Sequence, residues 1–182
     1  MRVAFSGTHR SGKSTLLDEI AGLLPHYATV DEPYHLLEED GYEAAENPSI
    51  EDFEAQLERS LVSLEEAGAN VLFDRCPADI LAYLLAHEDG AGFDVDEWLE
   101  RVIKAMRTLD LVVFVPVESP DRIAVPAHED RDLRIAVHDI LEDLLLEERY
   151  SFEVDVLRVR GNLQDRARQV WERIKVERGR IP

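Results

Sequence analysis

The sequence predicts an α/β fold of three layers, in which a five-stranded parallel sheet carries helices on both faces. Short β-rich runs alternate along the chain with longer stretches whose apolar residues recur at helical spacing. The runs at 71–73 and 111–115 contain only apolar residues, which is typical of strands buried on both faces of a parallel sheet. The chain of 182 residues has no internal repeat and no low-complexity linker, so we expect a single domain over 1–182.

In the first half of the chain, strands end at turn residues or proline, and helices show an apolar stripe. Pro33 and Pro77 follow the second and third strands. The first helix carries its stripe at Leu16, Leu17, Ile20, Leu23 and Leu24. The predicted elements are, in order, a strand at 2–6, a helix at 13–24, a strand at 27–31, a helix at 50–67, a strand at 70–74 and a helix at 78–88.

The second half of the chain continues this alternation. Its last helix carries a stripe that is typical of core packing, formed by Leu163, Ala167, Val170, Trp171 and Ile174. A turn and a helix cap are predicted at Gly161 and Asn162, where the backbone could also lie against a purine base. The predicted elements are a helix at 95–109, a strand at 111–117, a helix at 131–149, a strand at 153–160 and a helix at 163–178.

Composition excludes several classes of partner. The formal net charge of −19 opposes binding to nucleic acid or to anionic membranes, because their phosphates would be repelled. The acidic excess fits either a salty cytosol or a solvated surface. No apolar stretch approaches the length of a membrane span and no signal-peptide pattern is present, so we expect a cytoplasmic protein. Cys76 is the single cysteine, which fits a reducing compartment and predicts a small packed side chain.

The run at 7–15 fits the pattern G-x-x-x-x-G-K-[ST] of the phosphate-binding P-loop, or Walker A motif. It lies between a predicted strand and a predicted helix, which is the context that the motif requires. Lys13 is expected to reach the β- and γ-phosphates and Ser14 to bind Mg²⁺, whereas the alternative is a glycine-rich turn that only caps the helix. The predicted nucleotide-binding residues are Gly7, His9, Arg10, Ser11, Gly12, Lys13, Ser14 and Thr15.

Charged residues follow the second and third strands, at the sheet edge where parallel α/β proteins bind ligands. Glu32 is a candidate base or orienting group for a substrate hydroxyl, and the alternative is a helix cap, for which Asp31 is better suited. Asp74 is a candidate Mg²⁺ ligand and Arg75 a candidate partner for an anion or for Glu32. The alternative for the latter two residues is a structural Asp–Arg ion pair.

A polar segment near 118–135 is predicted to form a lid that closes over phosphates and expels water. Arg131 and Arg134 stand three residues apart and could clamp the transferred phosphoryl group. Pairing within the helix is the alternative for both arginines, with partners at Glu129, Asp130 or Asp139.

With these motifs in order, the chain resembles the nucleoside and nucleotide kinase branch of the P-loop proteins. It is most similar to small bacterial ATP-binding proteins that are related to the nicotinamide-riboside kinase domain and often described as AAA-like. The stretch 73–83, Phe-Asp-Arg-Cys-Pro-Ala-Asp-Ile-Leu-Ala-Tyr, is similar to their "DR…D…AY" segment. The resemblance spans nearly the whole chain.

The resemblance implies a three-layer P-loop NTPase fold with strand order 2-3-1-4-5. It implies that Glu32 supplies the base and that Asp74 and Arg75 handle Mg²⁺ and the acceptor hydroxyl. Phe53 and Gln56 are similar to the residues with which these kinases hold a base. The predicted lid departs from the pattern, because it lacks the dense arginine cluster of nucleoside kinases.

These observations together predict phosphoryl transfer from ATP, with Mg²⁺, to a small-molecule alcohol or phosphate acceptor of the nucleoside, nucleotide or nicotinamide-riboside type. The alternative is a nucleotide-dependent switch or regulatory ATPase without an acceptor, although the sequence has no guanine-specific N-K-x-D motif. A third interpretation, nucleotide binding without turnover, requires a misplaced metal carboxylate. The helices at 50–67 and 78–88 carry enough apolar surface for a homodimer, but core packing explains them equally well.

Overall fold

The computed structural model describes residues 1–43, 45, 48–118, 131–147 and 149–180, apart from the side chains of residues 91 and 178–180. The strands form one sheet of order β2-β3-β1-β4-β5, in which every neighbouring pair is parallel. This arrangement confirms the predicted fold class and the predicted strand order. The strands are β1 (Arg2–Ser6), β2 (Ala28–Val30), β3 (Val71–Asp74), β4 (Leu111–Phe114) and β5 (Val156–Arg158).

Seven α-helices are described between and after these strands. Six of them lie where a helix is predicted, and the additional helix, α2, has seven residues and begins with Pro33, whose fixed φ suits a first helical position. A short 3-10 turn covers Gly90–Gly92. The helices are α1 (Lys13–Leu23), α2 (Pro33–Glu39), α3 (Ile50–Glu66), α4 (Pro77–Ala86), α5 (Val95–Met106), α6 (Arg131–Leu146) and α7 (Leu163–Arg180).

Two apolar clusters cover the two faces of the sheet. Successive side chains of a strand point to opposite faces of the sheet. Val3 and Phe5 of β1 therefore pack in one cluster, with α1 and α7. Ala4 packs in the other cluster, with α3, α4, α5 and α6. Most of the predicted stripe of α7 is buried, but Leu163 at its first position is 37% exposed. None of the described helices is both long and apolar enough to cross a membrane.

The parallel register brings the ends of the strands to one edge of the sheet. Phe5 of β1 pairs with Asp74 of β3, and Ser6 of β1 pairs with Phe114 of β4. Residues that follow β1, β2 and β3 therefore converge on a single crevice. On the β5 side, Asn162 caps α7 as predicted, because its Oδ1 accepts a hydrogen bond from the Asp165 amide at 3.0 Å.

Candidate active site

The P-loop connects β1 to α1 in a conformation that its glycines permit. Gly7 has a φ of 154°, and a Cβ placed there would lie 2.6 Å from the carbonyl oxygen of Val115. Gly12 occupies the N-cap of α1 in the left-handed region, with a φ of 86°. Among the described residues no side chain caps α1, and uncapped amides in a first helical turn can bind an anion.

Glu32 lies between two cations at the end of β2. Lys13, which is only 4% exposed, forms an ion pair with Glu32 Oε1, and its Nζ lies 3.3 Å from Asp74 Oδ1. Arg75 Nε donates a hydrogen bond to Glu32 Oε2 at 2.7 Å. The structure thus brings together Lys13, Glu32, Asp74 and Arg75, which the sequence predicts from three separate segments.

These contacts disfavour the structural alternatives for the two strand ends. Glu32 does occupy the N-cap position of α2, but its side chain makes no capping hydrogen bond there, and Asp31 is exposed. Arg75 turns away from its neighbour Asp74, because its guanidinium reaches Glu32, the carbonyl oxygen of Gly7 at 3.2 Å and the vicinity of Asp79. The charged groups are therefore arranged across the crevice rather than along the chain.

The two carboxylates have opposite electrostatic environments. Burial raises the pKa of Glu32, but the charges and hydrogen bonds of Arg75 and Lys13 outweigh it and lower this pKa to about 2. Burial raises the pKa of Asp74 above its ordinary value; the charge of Lys13 offsets this effect only in part, and Glu32 adds to it. Glu32 is thus held as a carboxylate, whereas the charge of Asp74 is poorly compensated.

The backbone of Arg75 is strained. Its φ is 81°, in the left-handed region that a side chain with a Cβ disfavours by about 1–2 kcal/mol. Its amide donates to the carbonyl oxygen of Phe5 at 3.0 Å, which helps to hold the residue in place. Strain of this kind is concentrated at functional sites, where the fold as a whole imposes an unfavourable local geometry.

Asp74 and Ser14 present oxygen atoms beside the P-loop whose chemistry would suit a metal ion. The Ser14 hydroxyl acts to lower the pKa of Asp74, and Asp74 Oδ1 is buried and accepts no hydrogen bond from the described residues, although Lys13 Nζ lies 3.3 Å from it. Carboxylate and hydroxyl oxygens suit Mg²⁺, which proteins usually bind with one or two side chains plus phosphate oxygens. In the part of the chain that the structure describes, no group of three or more His, Cys, Asp or Glu side chains could hold a metal alone.

The other predicted nucleotide-binding residues have mixed environments. His9 is half-buried against Tyr83, and Arg10 is exposed with a φ of 52°. Ser11 is buried and its Oγ has no hydrogen-bond partner among the described residues, whereas Thr15 is exposed.

The structure places the two predicted lid arginines differently. Arg131 is exposed at the start of α6. Arg134 is buried and donates to the carbonyl oxygens of His9 at 3.2 Å and of Arg10 at 3.3 Å, so it lies against the P-loop. Residues 119–130 of the predicted lid, including Glu129 and Asp130, lie outside the described residues.

Three further side chains that contact the P-loop are not identified as site residues by the sequence. Arg166 of α7 is buried and donates to the carbonyl oxygen of Ser11 at 2.9 Å. Asp79 and Tyr83 of α4 contact Gly7 and His9. Their spacing of four residues directly after Asp-Arg is the signal that could have revealed them, whereas nothing distinguishes Arg166 among the arginines of this chain.

Cys76 has the packed role that the sequence predicts. The residue is 1% exposed, and its Sγ donates to Asp79 Oδ2 at 3.2 Å. Burial and the neighbouring Asp79 carboxylate raise the pKa of the thiol well above its ordinary value, so the thiolate is disfavoured.

Comparison with known proteins gives both a family and a fold. Residues 2–166 match the model of the family described as AAA domain, while no curated protein matches the chain. Deoxyadenosine kinase from M. mycoides with the products dCMP and a flexible dCDP bound superposes with a TM-score of 0.71 at 18% identity, covering 97% of this chain and 100% of that one.

Two other kinases have similar structures. Thymidylate kinase from Candida albicans has a TM-score of 0.65 at 16% identity, covering 97% of this chain and 92% of that chain. Shikimate kinase from Aquifex aeolicus has a TM-score of 0.56 at 15% identity, covering 97% and 98%. These likenesses confirm the fold, and the family match confirms the resemblance to AAA-like P-loop proteins: the chain belongs to the AAA domain family and has the fold of the P-loop nucleoside and nucleotide kinases.

Proposed function

We propose that this protein is a kinase that transfers the γ-phosphoryl group of ATP, with Mg²⁺, to a small-molecule alcohol or phosphate of the nucleoside, nucleotide or nicotinamide-riboside type. The observation that carries the proposal is the Glu32 carboxylate, which is held between Lys13 and Arg75 beside the P-loop. A switch protein needs no such group aimed at an acceptor. The similar structures of deoxyadenosine, thymidylate and shikimate kinases support the same class of reaction.

The donor half of the site consists of the P-loop and the start of α1. The uncapped amides of the first turn and the buried Lys13 ammonium group bind the phosphates, because both present positive charge to a polyanion. Ser14 and Asp74 hold the metal ion through oxygen. When bound, Mg²⁺ neutralises charge on the β- and γ-phosphate oxygens. Arg134 supports the loop from the side of α6.

The acceptor half begins at Glu32, which takes the proton of the attacking hydroxyl. Contact with Arg75 and Lys13 lowers its pKa to about 2, too low for an effective base, because both cations stabilise the carboxylate. Phosphates that draw Lys13 away leave Glu32 with Arg75 alone, and its pKa rises toward the ordinary value. Binding of the donor therefore prepares the base for the acceptor.

Residues of α3 give the acceptor site its preference for a planar ring with polar edges. Phe53 is buried and stacks on Tyr83, with ring centroids 5.4 Å apart. One turn later, Gln56 is 7% exposed, and its amide has no hydrogen bond to any described residue. The Gln56 amide offers both a donor and an acceptor to the edge of a nucleobase or nicotinamide.

The test is a phosphoryl-transfer screen of nucleosides, nucleotides and nicotinamide riboside with ATP and Mg²⁺. We expect one acceptor class to stimulate transfer and Lys13→Ala to abolish it, while Lys104→Ala, a lysine on α5 away from the P-loop, serves as the matched control. Glu32→Gln should retain ATP binding and lower turnover by about 10²–10⁴-fold.

Two outcomes of this screen would contradict the proposal. ATP hydrolysis that no acceptor stimulates would favour the regulatory ATPase instead of the kinase. Full turnover by Glu32→Gln with the true acceptor would refute the role of Glu32 as the base.

A further inference from the structure

Asp79 of α4 is buried directly beneath the start of the P-loop. Its carboxylate is 0% exposed, and its Oδ1 accepts hydrogen bonds from the Gly7 amide at 2.8 Å and from Ser6 Oγ at 3.1 Å. Its Oδ2 accepts from the Cys76 amide at 2.9 Å. One carboxylate thus joins the end of β1, the first glycine of the loop and the N-terminus of α4.

Tyr83 stands one helical turn further along the same face of α4 and contacts the middle of the P-loop. Its hydroxyl oxygen accepts a hydrogen bond from the His9 amide at 2.9 Å. The ring is fixed on two sides, because Phe53 of α3 stacks on it and the Arg75 guanidinium lies 5.3 Å from its centroid. The position of the Tyr83 hydroxyl against the loop is therefore fixed by the packing of its ring.

These contacts orient the backbone of the loop. The Gly7 amide donates to Asp79 and the His9 amide donates to Tyr83, so α4 fixes the direction of both. The first turn of α1 has no side-chain cap among the described residues. A loop that already has its bound conformation loses less conformational entropy when a ligand arrives. Both contacts join protein groups to one another, so neither of them requires a phosphate group.

We propose that Asp79 and Tyr83 are positioning residues that hold the P-loop in its phosphate-binding conformation before the nucleotide arrives. The inference rests on the nucleotide binding that the proposed function requires, but not on the acceptor or on turnover. A role in stability alone would lower the free energy of unfolding without changing the affinity of the folded protein for nucleotide.

The sharpest test is Tyr83→Phe, which keeps the ring stacked on Phe53 and removes only the hydroxyl that accepts from His9. Tyr150→Phe makes the same chemical change beside Phe152, ahead of β5, and is the matched control. Calorimetric titration with ADP and ATP, well below each unfolding temperature, should give a dissociation constant about 5–10-fold higher for Tyr83→Phe and an unchanged one for the control.

One measurement separates positioning from stability, and a second variant tests the contact of Asp79. Amide hydrogen exchange of residues 7–12 should accelerate in Tyr83→Phe while exchange of the α4 amides stays the same. Asp79→Asn keeps the size of the side chain but places an amide group against two donors, Cys76 N and Sγ, and it should weaken nucleotide binding by about tenfold or more.

Equal affinities for the unaltered chain, Tyr83→Phe and Tyr150→Phe would overturn this inference and leave the proposed function intact. A failure of the unaltered chain to bind any nucleotide is a different result, which would refute the proposed function and this inference together.

Discussion

Replacing Glu32 by glutamine removes a negative charge from between Lys13 and Arg75 while keeping the size of the side chain. The carboxylate is mostly buried, with 21% of its side chain exposed, and it contacts both cations directly. Its effect on stability therefore depends on pH, because protonation of the native side chain breaks the same two ion pairs as the substitution does.

The magnitude follows from the pKa of Glu32, which falls from an ordinary value of 4.5 to about 2 in the folded chain. A difference of this size corresponds to about 3 kcal/mol of folding free energy. Because the folded-state pKa is the lower one, this stabilisation is fully present above pH ~4.5 and is lost as the pH falls toward 2. About 2 kcal/mol of it should disappear between pH ~6 and pH ~3.

The assay is urea unfolding of the unaltered chain and of Glu32→Gln at several pH values between ~6 and ~3. The difference between their free energies of unfolding should shrink by about 2 kcal/mol over this range. Asp74 titrates in both proteins, so the comparison reports mainly on Glu32. Asp31→Asn, which alters the neighbouring exposed carboxylate, should follow the unaltered chain. A difference that stays constant with pH would refute the proposed electrostatics of this cluster.

Two further predictions concern the P-loop and the metal ligand. Gly7→Ala should lower the free energy of unfolding by about 3 kcal/mol, because the new Cβ would lie 2.6 Å from the carbonyl oxygen of Val115. A loss below ~0.5 kcal/mol in urea unfolding would contradict this prediction. Asp74→Asn should raise the free energy of unfolding at neutral pH, because the raised pKa of Asp74 means that its charge is disfavoured in the fold. The same substitution should raise the Mg²⁺ concentration for half-maximal activity by about tenfold or more. An unchanged magnesium requirement would exclude Asp74 as a metal ligand.

The features that the sequence predicts well have strong local causes. The P-loop pattern needs a strand before it and a helix after it, and β1 and α1 provide both. Glu32, Asp74 and Arg75 could be placed at one edge because strands of a parallel sheet end together. Their roles, the cytoplasmic location and the homodimer stay predictions.

The features that the sequence does not predict depend on tertiary contacts. Helix α2 has only seven residues, too few for an apolar period to be recognised, and the residue before it pairs across the crevice instead of capping it. The spacing of Asp79 and Tyr83 after Asp-Arg places both on one face of α4, but only the folded structure shows that this face contacts the P-loop. Leu163 belongs to the periodic stripe of α7, yet its position at the helix start leaves it 37% exposed.

The contact between Arg166 and the carbonyl oxygen of Ser11 has a consequence for biosynthesis. The two residues are separated by 155 positions, and α7 packs on α1. A nascent chain exposes its phosphate-binding segment before α7 but cannot complete the support of that segment until α7 has left the ribosome. Full affinity for nucleotide is therefore expected only once α7 has been synthesised, and a chain that stops before α7 would carry the intact motif without the complete site.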